Sequence, residues 1–145
     1  MVHPHVLQKY SLFGGLTEEQ IKKILPNMLY ETYNPDEFII TEGKPNDRIF
    51  FLIEGQVVVI KGDTVLSRFS EGDAFGEMEV LDVMASAASI KSLTPVTVMS
   101  ISNIGLRKVY QIDIAAFSLI IMNLARDLSR RLRKMNDQLT QPVLV

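Results

Sequence analysis

The sequence predicts a mainly β domain flanked by helices, and three observations carry that expectation. Between Met28 and Ile101, short apolar runs alternate with turn signals at regular spacing, the pattern of a sandwich, roll or barrel. One short amphipathic segment precedes this region, and after it the apolar spacing lengthens to three and four residues, the period of a helix. The chain has 145 residues, 47% of them apolar, enough for one domain with a substantial core.

Residues 1–16 read as an N-terminal tail and turn ending in Gly14-Gly15, and residues 17–145 as the folded unit. Thr17 and Gln20 fit a capping box with acids in the first turn. Ile21, Ile24 and Leu25 form the apolar stripe of a helix over 17–25 that Pro26 ends.

Candidate strands are Met28–Tyr33, Glu37–Thr41, Arg48–Glu54, Gln56–Lys61, Thr64–Phe69, Ala87–Ser92 and Thr97–Ile101. The turns between them carry Asn34-Pro35-Asp36, Gly43 to Asp47, Gly55, Gly62-Asp63, Glu71-Gly72-Asp73 and Thr94-Pro95. Lys61 to Thr64 reads as a hairpin tip in which Gly62 supplies positive φ. Strands this short need a second sheet to bury their apolar face.

The 75–89 stretch, FGEMEVLDVMASAAS, stands apart from the strands. An aromatic-Gly-Glu turn leads into a short helical segment from Met78 to Asp82, and a run of tiny residues follows. Tiny residues allow close approach of backbone to a ligand or to another part of the chain. Glu77 stands at a helix start beside unpaired N–H groups.

Residues 103–139 read as C-terminal helices. Ile104, Val109 and Ile112 suit a first helix opened by Ser102 or Asn103. Ile114 to Leu139 suits a long second one restarted at Asp113 as its N-cap. Its stripe is Phe117, Ile121, Leu124, Leu128, Leu132, Met135 and Leu139, a heptad with one extra residue between Leu128 and Leu132. The bland reading is a helix lying on its own domain. A stripe of about six turns outruns what a β unit of about 70 residues covers, so a homodimer through this helix is expected. Arg126, Arg130, Arg131, Arg133 and Lys134 read as its solvated flank. Without aromatic interleaving or a following recognition helix, nucleic acid is not an expected partner.

Several classes are set aside. There is no cysteine, and the only histidines, His3 and His5, lie in the tail, so no nucleophile triad or metal cluster is expected. No Gly-rich loop followed by Lys appears, and the expectation is no enzyme and no metal. A net charge of −2 gives no push towards nucleic acid or an anionic membrane. The most apolar stretch, Ile112 to Leu124, contains Asp113, Ser118 and Asn123 and is too short to span a bilayer. The N-terminus lacks the pattern of a signal peptide. A cytoplasmic protein is expected.

Two motifs then carry a resemblance. One is Ile39-Ile40-Thr41-Glu42-Gly43 followed after a turn by Ile49-Phe50-Phe51-Leu52-Ile53-Glu54-Gly55. The other is Phe75-Gly76-Glu77-Met78-Glu79-Val80 followed by Ala87-Ala88-Ser89-Ile90-Lys91-Ser92. In this order, with these flanking elements, they resemble the cyclic nucleotide-binding domain. That domain is the sensory module of the catabolite activator protein family, kinase regulatory subunits and gated channels. The likeness covers about residues 10–140. It implies a double-stranded β-helix, jelly-roll-like, with a short N-terminal and a long C-terminal helix, and a phosphate-binding cassette at 75–89. It also implies a regulatory domain that takes a cyclic nucleotide such as cAMP or cGMP and signals through its C-terminal helix. The implied contacts are Phe75, Gly76, Glu77, Met78, Ser86, Ala87 and Ala88, with Glu77 on the ribose 2′-hydroxyl and the Gly76 region on the phosphate.

One departure matters. The resemblance places an arginine, the phosphate's counter-charge, where this chain has Ser86, and Glu79 adds a carboxylate where the family has a small residue. A charge-assisted bond to phosphate contributes about 1.5–3 kcal/mol, so nucleotide binding is expected to be weakened or altered. The alternative is a dimerisation or interaction module that keeps the fold and has lost the nucleotide site. Lys91, at an odd offset from Ser86, falls on the opposite face of a strand. Arg48 and Lys44 are the other nearby cations.

Overall fold

The computed structural model describes residues 2–139; Thr140–Val145, the end of the expected 17–145 unit, lie outside the described residues. The expected class is what the chain forms: two four-stranded antiparallel sheets with helices at both ends. In chain order the elements are α1 (Pro4–Leu7), α2 (Glu18–Ile24), β1 (Met28–Tyr33), β2 (Phe38–Ile40), β3 (Arg48–Glu54), β4 (Val57–Lys61) and β5 (Thr64–Phe69). Then follow β6 (Ala74–Phe75), α3 (Glu77–Asp82), β7 (Ser89–Ser92), β8 (Val96–Ser102), α4 (Asn103–Ile112) and α5 (Ile114–Gln138). The first sheet runs β1-β8-β3-β6 and the second β2-β7-β4-β5.

Strand alternation explains the two cores. Successive strand residues point to opposite faces. Phe50 and Leu52 on β3, with Val96 and Val98 on β8, therefore meet Ile40, Val57 and Ile90 of the second sheet inside the roll. Ile49, Phe51, Met99 and Ile101 face the other way, against Phe13, Ile21, Val109, Ile120 and Leu124 of the flanking segments. Each fully buried side chain of this size contributes about 1.5–3 kcal/mol. The first sheet is thus held between the roll's interior and the helices, which fixes α5 against the domain.

The expected tail is part of this second core. Leu7, Leu12 and Phe13 are buried, α1 and a 3₁₀ turn over Ser11–Phe13 are ordered elements, and Phe13 packs edge-on against Phe51 at 5.3 Å. Tyr10 donates its hydroxyl to Glu71 on the β5–β6 turn. Burial, then the neighbouring carboxylate, push that phenol up to about 12. Residues 1–16 carry too few apolar positions to show a period, yet those positions are the ones buried.

The remaining elements follow their sequence signals. Thr17 and Gln20 form the capping box. Ser102 accepts from Gly105 N–H to start α4, and Asp113 accepts from Ala116 N–H to start α5. That N–H bond, aided by Lys23, holds the Asp113 carboxyl below its ordinary value. β6 is absent from the sequence expectation because two residues carry no alternation. β7 begins at Ser89 rather than Ala87.

Among the described residues no helix is long and apolar enough to cross a membrane.

Candidate functional site

The 75–89 segment is built onto the roll by one turn, residues 41–48, which holds it at both ends. At one end the Asn46 amide donates to Gly76 O at 3.1 Å and Arg48 O at 2.8 Å. At the other, Ser86 N–H donates to Lys44 O at 3.0 Å and Gly43 N–H to Ser86 O at 2.8 Å. The sequence places Gly76 and Ser86 ten residues apart; this turn brings them to one edge of the roll. Gly76 has φ 82°, and a Cβ there would stand 2.8 Å from Arg48 O. Positive φ and the close carbonyl both require glycine.

The expected site residues separate into three groups. Phe75 is buried and packs between Phe50 and Phe69 in a nearly parallel stack, at 5.2 and 6.1 Å, so it supports the site from beneath. Gly76, Glu77 and Ser86 are gathered: Glu77 and Ser86 are both 3% exposed. Met78, 58% exposed, lies on the outer surface, and Ala87 is exposed with Ala88 half-buried. The Ser86 hydroxyl is buried and has no hydrogen-bond partner among the described residues. A buried hydroxyl left unpaired costs stability, so position 86 carries polar capacity that the fold itself does not use.

Glu77 has a partner far along the chain. Arg131, on α5, places Nη1 2.7 Å from Glu77 Oε1. Its Nη2 donates to Ala74 O, and its guanidinium lies 4.7 Å over the Phe69 ring. Burial raises the Glu77 carboxyl above its ordinary value, and the Arg131 charge opposes that rise. Among the described residues, Arg131 is the one side chain bonded to this carboxylate, at Oε1, and the backbone N–H of Glu77 itself also helps to hold the carboxyl down.

Arg131 reaches this place because α5 presents one stripe to the domain: Ala116, Ile120, Asn123, Leu124, Asp127 and Arg131. Asn123 is buried and donates to Leu12 O and Gly14 O, both at 3.0 Å; Ser11 Oγ bonds Asp127 at 3.2 Å. Arg131 therefore does not belong to the solvated flank that Arg126, Arg130, Arg133 and Lys134 form. Its signal in the sequence is its spacing, four residues beyond Asp127 and eight beyond Asn123 on one helix face.

The expected α5 stripe is split in the same way. Leu124 is buried against its own domain, Phe117, Ile121 and Leu128 are half-buried, and Leu132, Met135 and Leu139 are exposed. The outward face instead runs Ile114, Ser118, Ile121, Ala125, Leu128, Leu132, Met135, Leu139, an unbroken alternation of four and three. An apolar groove of about 420 Å³ opens along its first half between Tyr110, Ile114, Phe117, Ile121 and Met122.

Other nearby cations are placed elsewhere. Lys91 lies 3.5 Å from Asp36, on the outer face of β7. Lys44 is exposed. Arg48 shares the inner face of β3 with Phe50 and Leu52, donates to buried Ser100 Oγ at 3.2 Å, and has no ion-pair partner among the described residues.

The comparisons with known proteins agree with this geometry. A family model described as "Cyclic nucleotide-binding domain" matches residues 30–113. Human cGMP-dependent protein kinase 2 is 31% identical over 105 residues, which are 72% of this chain; the chain spans 13% of that kinase's length. Among solved structures, a cyclic nucleotide-binding domain from Methylobacillus flagellatus covers 99% of this chain and 85% of its own, with TM-score 0.85 and 23% identity. The catabolite activator protein of Thermus thermophilus covers 89% of this chain and 61% of its own, with TM-score 0.76 and 24% identity.

Proposed function

This chain belongs to the cyclic nucleotide-binding domain family, and we propose that it is a regulatory domain that senses a cyclic nucleotide and signals through α5. The observation that carries this reading is the Arg131–Glu77 ion pair, which ties the cassette to the long helix. In it, Gly76 and the start of α3 receive the cyclic phosphate, and Glu77 Oε2 accepts the ribose 2′-hydroxyl. Arg131 stays on Oε1 and opposes the rise that burial gives the carboxyl, which favours the ionised form, the better acceptor. Ligand and α5 then hold the same residue from two sides, so each strengthens the other by the reciprocity of linked equilibria.

Binding is weak or altered in selectivity, because Ser86 brings no charge to the phosphate and Glu79 stands nearby. The positive charge at the roll comes from Arg131 and Arg48 instead. The role is regulatory rather than catalytic.

The test is calorimetry and thermal unfolding with cAMP and cGMP at millimolar concentration. A ligand at 100 times its dissociation constant adds about 2.7 kcal/mol of stability. No heat and no shift with either nucleotide would sink this reading.

A second reading is favoured by the outward face of α5: an interaction module that dimerises and takes no nucleotide. The four–three alternation from Ile114 to Leu139 has the spacing of a coiled-coil seam, which supports a second copy of the same helix as its occupant. The two readings are compatible in their dimer and divide on the nucleotide. Homodimerisation through this seam is part of both.

A further inference from the structure

The outer side of the cassette carries a feature that neither nucleotide binding nor the α5 seam uses. Met78, Leu81, Val83 and Met84 are each more than half exposed, Val83 at 84%. Four large apolar side chains within seven residues stand on a surface that the domain's own packing leaves open. A cleft of about 480 Å³ lies beside them, lined by Val83, Met84 and Ala85 on one side and by Asp47, Glu79 and Asn103 among the others. Ile104, next to Asn103, is 69% exposed.

Val83 is also strained. It sits at φ 58°, ψ 33° as the cap of α3, the left-handed region that a β-branched residue rarely enters. Glycine or asparagine is the usual residue there. Val83 N–H to Glu79 O and Met84 N–H to Asp82 Oδ1 hold the turn in place. Strain of this kind, in a side chain that gains no burial, is a mark of function rather than of folding.

The charged residues that line the cleft have one sign. Asp47 and Glu79 line the cleft, no lysine or arginine does, and Asp82 is on the same turn. None of the three has an ion-pair partner among the described residues. Methionine-rich apolar surfaces adapt to varied apolar partners, and an acidic rim selects for basic ones.

We propose that the Met78–Met84 surface of the cassette docks a basic amphipathic helix of a partner protein, with apolar side chains on Val83 and Met84 and lysine or arginine towards Asp47 and Glu79. This goes beyond nucleotide sensing and does not depend on it. Because the surface is the outer side of the segment that holds Gly76 and Glu77, a ligand on the inner side would reposition what the partner touches.

The probe is a synthetic helical peptide of about 14 residues, with leucine along one face and lysine along the other. Its counterpart has every lysine replaced by glutamate. Binding to the full chain is measured by calorimetry without nucleotide. The lysine peptide is expected to bind, more weakly at high salt, and the glutamate peptide not to bind. Val83→Gly separates docking from folding: it relieves the strain, so the free protein melts about 2–4 °C higher, while the peptide binds about 10-fold or more weakly. Glu79→Gln weakens binding and flattens its salt dependence. Equal affinity for Val83→Gly and wild type, binding of the glutamate peptide, or no binding of either peptide would each overturn the proposal. So would a self-association of the chain that Met84→Gln abolishes, which would give the surface to a second copy.

Discussion

Arg131 and Glu77, 54 positions apart, meet at 2.7 Å, and their pair joins the last long helix to the first turn of the cassette. Neither residue is held there by its own element alone. Glu77 is fixed by the buried start of α3 over Phe75, and Arg131 by the anchoring of α5 through Asn123 and Leu124. The pair is therefore sensitive to movement of either element.

Replacing Arg131 by Met leaves Glu77 buried without its counter-charge. A loss of about 1.5–3 kcal/mol at pH 7 is expected. Glu77 already titrates above its unfolded value because of burial, and losing Arg131 lifts it further. For a raised carboxyl the penalty on the ionised form is present above the folded pKa. It is removed as pH falls through that value towards the unfolded one, about 4.3. The deficit of Arg131→Met relative to wild type should thus shrink from pH 7 towards pH 4.5 in urea unfolding. A constant deficit would mean that the lost interaction is packing over Phe69 rather than charge.

Asn123 anchors the helix that carries Arg131. Asn123→Ala removes two bonds to Leu12 O and Gly14 O and leaves one buried and one partly buried carbonyl short of a donor. A destabilisation of about 1–3 kcal/mol is expected. It should be accompanied by faster hydrogen exchange in the 3₁₀ turn at Ser11–Phe13, because that turn loses the Leu12 bond to α5 and keeps only the exposed one from Ser11 to Asp127 as its hydrogen bond to the helix. Unchanged exchange there would show that the apolar contacts suffice.

Ser86→Arg restores the cation that the cassette lacks. Cyclic-nucleotide affinity should rise roughly 10- to 150-fold, read by calorimetry. Glu79→Ala in the same background should raise it further by removing a nearby negative charge. If neither gains affinity while both variants keep the wild-type melting curve, the obstacle lies in the shape of the roll's interior rather than in charge.

The seam on α5 makes a separate expectation. Leu132 is 59% exposed and lies in the second half of the four–three alternation. Leu132→Asp should convert a dimer to a monomer in sedimentation and leave the melting temperature of the monomer unchanged. Leu124→Asp, at a position buried against the domain, should instead unfold the protein. A monomeric wild type would refute the seam.

Every strand but β6, both caps of the C-terminal helices and the turn that opens the cassette could be read from the sequence because each rests on local chemistry: alternation, a Ser or Asp at the right offset, a glycine before an acid. Phe75, Gly76 and Glu77 stand out for the same reason, whereas Ser86 is singled out only through the resemblance, as the position of a missing arginine. What was not legible depends on which side of an element meets the rest of the chain. Leu124 and Leu128 are equally apolar, and Leu124 is inward because it shares a core with Phe13, Ile21 and Val109 from elsewhere in the chain. Arg131 differs from Arg130 by one position, which turns it about 100° around the helix and onto Glu77. Leu7 and Phe13 join the core through contacts with strands far along the chain, and nothing local marks them.

Hydrogen exchange of the α5 amides around Arg131, with and without saturating cyclic nucleotide, tests the coupling most directly. In the wild type, exchange across residues 126–134 should slow when cAMP or cGMP is added, because ligand and Arg131 secure the same carboxylate. In Arg131→Met the nucleotide should bind more weakly, and at saturation it should leave those amides unchanged. No slowing in the wild type, or equal slowing in the variant, would contradict a signal that passes from the cassette to α5 through Glu77 and Arg131.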